Sequence, residues 1–136
     1  MAGRSRLAGG YAVEDSGKTM TGVIHQGDLY WMTVEGSSVP HPYVVIQDDA
    51  INHSRVTTLV VCALTTNAKQ MHAPGNVLLE PGEANLPKPS AVVVSKVSGV
   101  ERSQVGEYIG SLSSQRIEQI LAGMRFLQAL TAQNKP

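Results

Sequence analysis

The sequence predicts a mostly β, α+β domain: a small antiparallel barrel closed by one C-terminal helix. Two observations carry this. Short apolar runs rich in β-branched residues recur between residues 27 and 112, each bounded by Gly, Pro, Asn, Asp or Ser. From Ser113 the period changes, and Ile117, Ile120, Leu121, Met124, Leu127 and Leu130 recur at three- and four-residue spacings, a helical stripe. A length of 136 residues suits one domain with a real core.

The first strand is expected within Gly27–Val34, which carries the chain's only tryptophan, Trp31. Glu35–Ser38 supplies a turn, and Pro40 and Pro42 stiffen the entry to a second strand over Tyr43–Gln47. Asp48, Asp49, Asn52, His53 and Ser54 give turn chemistry before a third strand, Thr58–Leu64. If these two strands pair antiparallel, the start of one lies near the end of the other. His41 and the Thr65–Thr66 pair then share one edge of the sheet. Asn67–Gly75 reads as a polar loop, Asn76–Glu80 as a short strand, and Pro81–Pro89 as a Gly- and Pro-punctuated loop. Ser90–Ser95 is a buried strand, Lys96–Gln104 polar and irregular, and Glu107–Leu112 a last short strand. Ser113 or Ser114 caps the helix, which ends near Ala132. Gly123 lowers helix propensity by about 1 kcal/mol relative to alanine but permits close packing.

Residues 1–22, glycine- and serine-rich, read as a flexible leader, with Met20 as an alternative start. The folded domain is expected over 23–132, followed by a short tail, 133–136. The leader lacks the apolar run of a secretory signal, and no apolar run approaches the ~20 residues that span a bilayer.

Eleven basic residues balance eleven acidic ones, so no global field announces nucleic acid or membrane, although a local basic patch is allowed. The single cysteine, Cys62, has no intramolecular partner and sits in an apolar strand, which suits a reduced core residue in a cytoplasmic protein. Walker, GxGxxG, HExxH, GxSxG and Cys/His metal spacings are all absent. His25, His41, His53 and His72 are scattered without a helical histidine pair, leaving only a site assembled from distant strands. No metal and no cofactor is expected.

Several segments nevertheless resemble, in order, the MazF/PemK toxins of bacterial toxin–antitoxin pairs. They are Gly27-Asp28-Leu29-Tyr30-Trp31; Pro42 through Asp49 with the trailing Asn52 and Ser54; Val60 through Thr66; Ser90–Val94; Val100-Glu101-Arg102; and Ile109–Leu112. The resemblance implies an SH3-like, twisted antiparallel β-barrel with a C-terminal α-helix, usually a homodimer. It implies an endoribonuclease that cuts single-stranded RNA, often mRNA, without metal. The ribose 2′-hydroxyl attacks the adjacent phosphodiester and leaves a 2′,3′-cyclic phosphate and a 5′-hydroxyl. Such chemistry needs an acceptor for the 2′ proton, a donor to the leaving oxygen, and cations or hydroxyls on the phosphorane.

Carried onto this chain, the resemblance gives His41 and Thr65 as catalytic residues. It gives Gln47, Asn52, Thr66, Lys69 and Lys96 as RNA-binding ones. It further implies a cognate antitoxin whose acidic, initially disordered tail competes with RNA, and DNA binding together with that antitoxin. One departure matters: the family carries arginine directly before the proline of its second strand, where this chain has His41. Histidine does acid–base work near neutral pH but lacks arginine's bidentate fork. The loop at Glu35–Pro40 is also short for the family.

Each residue also has a plainer reading. Asn52 and Ser54 are turn residues bonded to their own backbone, Lys69 and Lys96 solvated charges, Tyr30 and Trp31 core or dimer residues, and the helical stripe core. Two rival functions remain: a gyrase-directed toxin of the CcdB kind, and a catalytically inactive nucleic-acid-binding barrel.

Overall fold

The computed structural model describes residues 23–34 and 36–133; the leader 1–22 and the last residues 134–136 lie outside them. The chain divides into two units. One comprises Asp48–Val56 with the segment up to His25, and the other comprises Gln26–Gln47 with Thr57 onward.

In the larger unit six strands form one antiparallel sheet: β1 Asp28–Met32, β2 His41–Val45, β3 Thr58–Thr65, β4 Val77–Leu79, β5 Ser90–Glu101 and β6 Val105–Ser111. Their order is β4-β5-β3-β2-β1-β6. β1 and β2 are the expected hairpin, with Tyr30 opposite Tyr43 and Trp31 opposite Pro42. β3 is buried at alternate and successive positions alike, so both of its faces are covered, which is why it reads as a continuous apolar run.

The core lies under one face of this sheet. Leu29, Val44, Cys62, Leu64, Val92 and Ile120 are among its fully or nearly fully buried members. Each aliphatic side chain buried in this way contributes roughly 1.5–3 kcal/mol of transfer free energy. The helix, α3 (Ser114–Gln133), presents its stripe here: Ile120 is 1% exposed, and Met124 and Leu127 pack against the cluster. Ser113 is the cap, its Oγ accepting from the Arg116 amide at 3.2 Å. A 3-10 turn over Glu83–Asn85 closes the unit towards β6. Asn85 Nδ2 donates to the Ile109 carbonyl at 2.8 Å, and a Cβ on Gly110 would stand 2.4 Å from the Ala84 carbonyl oxygen. Arg116 anchors the same turn, donating from Nε to Glu83 Oε1 at 2.9 Å and from Nη2 to Oε2 at 2.8 Å.

Two expectations need correction. Lys96–Gln104 is not irregular: β5 continues through Glu101, because its distal half pairs with Thr58–Cys62 of β3. Arg102–Gln104 then forms a 3-10 turn. The expected loop Asn67–Gly75 contains a one-turn helix, α2 (Ala68–Met71), with the Asn67 side chain accepting from the Lys69 amide. Of the two readings for Tyr30 and Trp31, core or dimer residue, Tyr30 is a core residue, whereas Trp31 is 42% exposed, which leaves it the dimer reading.

In the smaller unit the turn residues form one helical turn, α1 (Asp49–Asn52), capped by the Asp48 carboxylate, which accepts from the Ala50 amide at 2.8 Å. Among the described residues no helix is long and apolar enough to cross a membrane.

Candidate active site

β2 begins at His41 and β3 ends at Thr65. Their register pairs Tyr43 with Ala63, Val44 with Cys62 and Val45 with Val61. The β2–β3 pairs end at Tyr43–Ala63; continued two residues further in the same register, His41 would fall opposite Thr65. Directly opposed residues of antiparallel strands point to the same face, with Cβ atoms about 4.5–5.5 Å apart. His41 is also paired with Met32 on β1, and Thr65 with Ala91 on β5. Met32 and Ala91 are fully buried and floor the row on both sides.

His41 is exposed. Thr65 is half-buried, and its Oγ1 accepts from the Asn67 amide at 3.0 Å. That bond fixes the hydroxyl oxygen and leaves its proton to be donated outward.

Tyr43 lies on the same face two residues beyond His41, and reading the sequence for charged and catalytic residue types passed it over. Burial, with Cys62 as a lesser contributor, pushes its phenol above the usual range, so it stays neutral. Cys62 itself is a core residue: burial pushes its thiol up to about 12, outweighing a backbone hydrogen bond that lowers it. Its Sγ donates to the Val93 carbonyl at 2.9 Å.

The other candidate residues divide. Lys96 is exposed where the β3–β5 register breaks: Cys62 pairs with Val97 but Leu64 already pairs with Val92. The slack sits opposite Ala63, whose partner on β2 is Tyr43, so Lys96 belongs to the bulged bend of β5. Thr66 and Lys69 are exposed just past the end of β3 and on α2. Gln47 is half-buried and its amide donates to the Thr58 carbonyl at 3.2 Å, tying the neck between β2 and β3.

Asn52, in the smaller unit, is 3% exposed, and its amide donates to Asp49 Oδ1 at 3.1 Å. This bond ties it to its neighbour on α1. Ser54 likewise bonds locally, to the Ile51 carbonyl at 2.6 Å.

Trp31 lines an open groove with Thr33, Pro40, Gln104, Gly106 and Glu107. It pairs with Pro42, the neighbour of His41, so alternation along the strands turns this groove to the other face. Among the described residues one group has metal-ligand composition, His25 with Asp49 and His53, and it contains neither His41 nor Thr65.

Known proteins share this arrangement of strands. The chain is 28% identical over 108 residues to Endoribonuclease MazF2 of Mycobacterium bovis, covering 76% of this chain and 95% of the relative. The figures are the same for Endoribonuclease MazF6 of Mycobacterium tuberculosis. Among solved structures, an endoribonuclease in complex with its cognate antitoxin from a mycobacterial species superposes with a TM-score of 0.66 at 17% identity. That match covers 79% of this chain and 96% of the other. A MazE–MazF complex from Deinococcus radiodurans gives 0.61 at 20% identity, covering 78% and 95%. The fold is therefore the SH3-like barrel with a C-terminal helix. The model of the PemK-like, MazF-like toxins of type II toxin–antitoxin systems matches residues 25–127. With that much of the chain matched, it belongs to this toxin family.

Proposed function

We propose that the chain is an endoribonuclease toxin that cuts single-stranded RNA at the His41–Thr65 edge of the sheet. What supports this reading is the β2–β3 register, paired from Val45–Val61 to Tyr43–Ala63, which continued two residues to the strand ends would set His41 and Thr65 opposite each other on one face. The His41 ring takes the 2′ proton as the 2′-oxygen forms its bond to phosphorus. The bond from phosphorus to the 5′-oxygen breaks with its electron pair on that oxygen, which takes a proton from solvent, giving a 2′,3′-cyclic phosphate and a 5′-hydroxyl. Thr65 donates a hydrogen bond from its hydroxyl to a non-bridging oxygen where charge accumulates. Lys96 from the bend, and Lys69 with Thr66 beyond β3, add positive charge and a donor along the backbone path of the RNA.

The substrate is single-stranded RNA, mRNA foremost, met in the cytoplasm. The working form is a homodimer. A cognate antitoxin with an acidic tail covers the same cations and excludes RNA, and the pair binds DNA.

The test is incubation of the purified chain with a long single-stranded RNA in EDTA. The expected result is cleavage to cyclic-phosphate ends, lost in His41→Ala and Thr65→Ala variants that still fold. Intact RNA with gyrase inhibition would replace this reading by the gyrase-directed one. RNA binding without either would leave a silent barrel, the outcome that histidine in the arginine position favours.

A further inference from the structure

The smaller unit holds a group of side chains that RNA cleavage does not use. His25, Asp49 and His53 each offer one ligand atom, and these atoms lie within 4.8 Å of one another. Asp49 and His53 are four residues apart, at the first position and the C-cap of α1, so one helical turn brings them to the same side. His25 comes from the chain segment that leads into β1. Its Nδ1 lies 3.6 Å from Asp49 Oδ2, and the two imidazoles meet edge to face with centroids 4.9 Å apart.

We propose that these three residues bind one divalent transition-metal cation of the zinc class. A tetrahedral site with bonds of about 2.1 Å has ligand–ligand edges of roughly 3.4 Å, close to the 3.6 Å already present between His25 and Asp49. Closing the remaining edges needs side-chain rotations of about 1 Å. The side chains of His25 and Asp49 are 36% and 47% exposed. Two nitrogens and one carboxylate oxygen favour zinc, nickel or copper over magnesium and calcium, which want oxygen alone.

The surroundings orient the ligands as outer-shell groups do. Asn52 donates to Asp49 Oδ1 at 3.1 Å, which leaves Oδ2 on the side of His25. His53 Nε2 lies 3.1 Å from the Ile24 carbonyl. A carbonyl only accepts, so Nε2 carries the proton and Nδ1 keeps the lone pair that a cation needs. A bound ion would staple the segment ending at His25 to Asp48–Val56 and leave its fourth position to water.

The experiment uses the full chain without an affinity tag, stripped with EDTA and dialysed, titrated with zinc against a chromophoric chelator and with cobalt by visible absorption. One equivalent should bind, with a tetrahedral cobalt spectrum, while magnesium does not compete. His25→Ala and His53→Ala should each weaken zinc binding at least tenfold, and Asn52→Ala by roughly tenfold; His72→Ala should leave it unchanged. Absence of stoichiometric binding by the wild-type chain would overturn the site. So would affinities of the His25 and His53 variants within twofold of wild type. Because the wild-type cobalt spectrum reports the ligand set directly, a variant that fails to fold does not protect the proposal. RNA cleavage in EDTA is read separately and stands or falls on its own.

Discussion

Replacing Gly123 by alanine sets two opposed effects against each other at one position. Gly123 lies within α3, where alanine would raise helix propensity by about 1 kcal/mol. The structure opposes that gain. A Cβ at residue 123 would stand 2.1 Å from the Gly75 carbonyl oxygen and 3.1 Å from its carbon. The reciprocal Cβ at Gly75 would meet the Gly123 oxygen at 2.9 Å. The obstacle is backbone, so no rotamer relieves it. The helix must retreat by about 1 Å, and Ile120, Met124 and Leu127 leave the core with it. Overpacking of this kind costs roughly 1–3 kcal/mol, and a backbone obstacle belongs at the upper end. After the propensity gain, Gly123→Ala should be less stable by about 2 kcal/mol. Urea unfolding followed by Trp31 fluorescence and helical circular dichroism, at matched protein concentration, measures this. Ala122→Gly, at an exposed helix position, is the control and should lose about 1 kcal/mol from propensity alone. A Gly123→Ala variant as stable as wild type, or more so, would refute the close approach of helix and loop.

Arg116→Met should destabilise by about 1 kcal/mol at neutral pH, a bidentate pair discounted for partial exposure. Hydrogen bonding from Arg116 holds the Glu83 carboxyl below its usual range, so the pair's contribution is fully present above an ordinary glutamate pKa near 4.3. It is lost as the pH falls through the lower folded value, and melting curves of wild type and variant should converge there. Cys62, buried and pushed up to about 12, should resist iodoacetamide at pH 8 in the native chain and react once the chain is unfolded in urea, by mass spectrometry. Thr65→Val keeps the shape of the side chain and removes the hydroxyl. RNA cleavage should fall roughly 10²-fold and recover in Thr65→Ser; cleavage unchanged in the valine variant would remove Thr65 from the chemistry.

The elements that bury one coherent face were legible. The β1–β2 hairpin announced itself through turn residues, and α3 through the spacing of Ile117, Ile120, Met124 and Leu127. The distal half of β5 was not legible for a physical reason. Ser95–Gly99 is mostly exposed, so it lacks an apolar alternation and is held by backbone pairing to β3, which side-chain patterns do not record. The one-turn helices α1 and α2 were hidden differently. Asp48 and Asn67 cap them with the same side-chain-to-amide bonds that make simple turns, and four residues are too few to show a period. Asp49 and His53 form no recognisable motif, since they are not a histidine pair, and His25 joins them only through tertiary structure.

The candidate catalytic pair was legible only as a neighbourhood. Polar residues flanking two apolar strands place His41, Thr65 and Thr66 near one edge, but a slip of one residue exchanges every side chain between faces. Because β3 is buried on both faces, its composition cannot choose between Thr65 and Thr66 as the partner of His41. The backbone chooses. The Ile46 amide donates to the Val60 carbonyl at 3.0 Å, in the same register as the pairs from Val45–Val61 to Tyr43–Ala63. Continued to the strand ends, that register would set Thr65 opposite His41, while Thr66 lies just past the end of β3. A one-residue slip would pair His41 with Thr66 or Leu64 instead, and would bring Tyr43 opposite a core-facing residue, Leu64 or Cys62. Both are buried on the far face, so either slip would put an apolar core residue on the site's side of the sheet. The packing of Cys62 and Leu64 in the core beneath α3 thus fixes the β2–β3 register on which the proposed pairing of His41 with Thr65 rests.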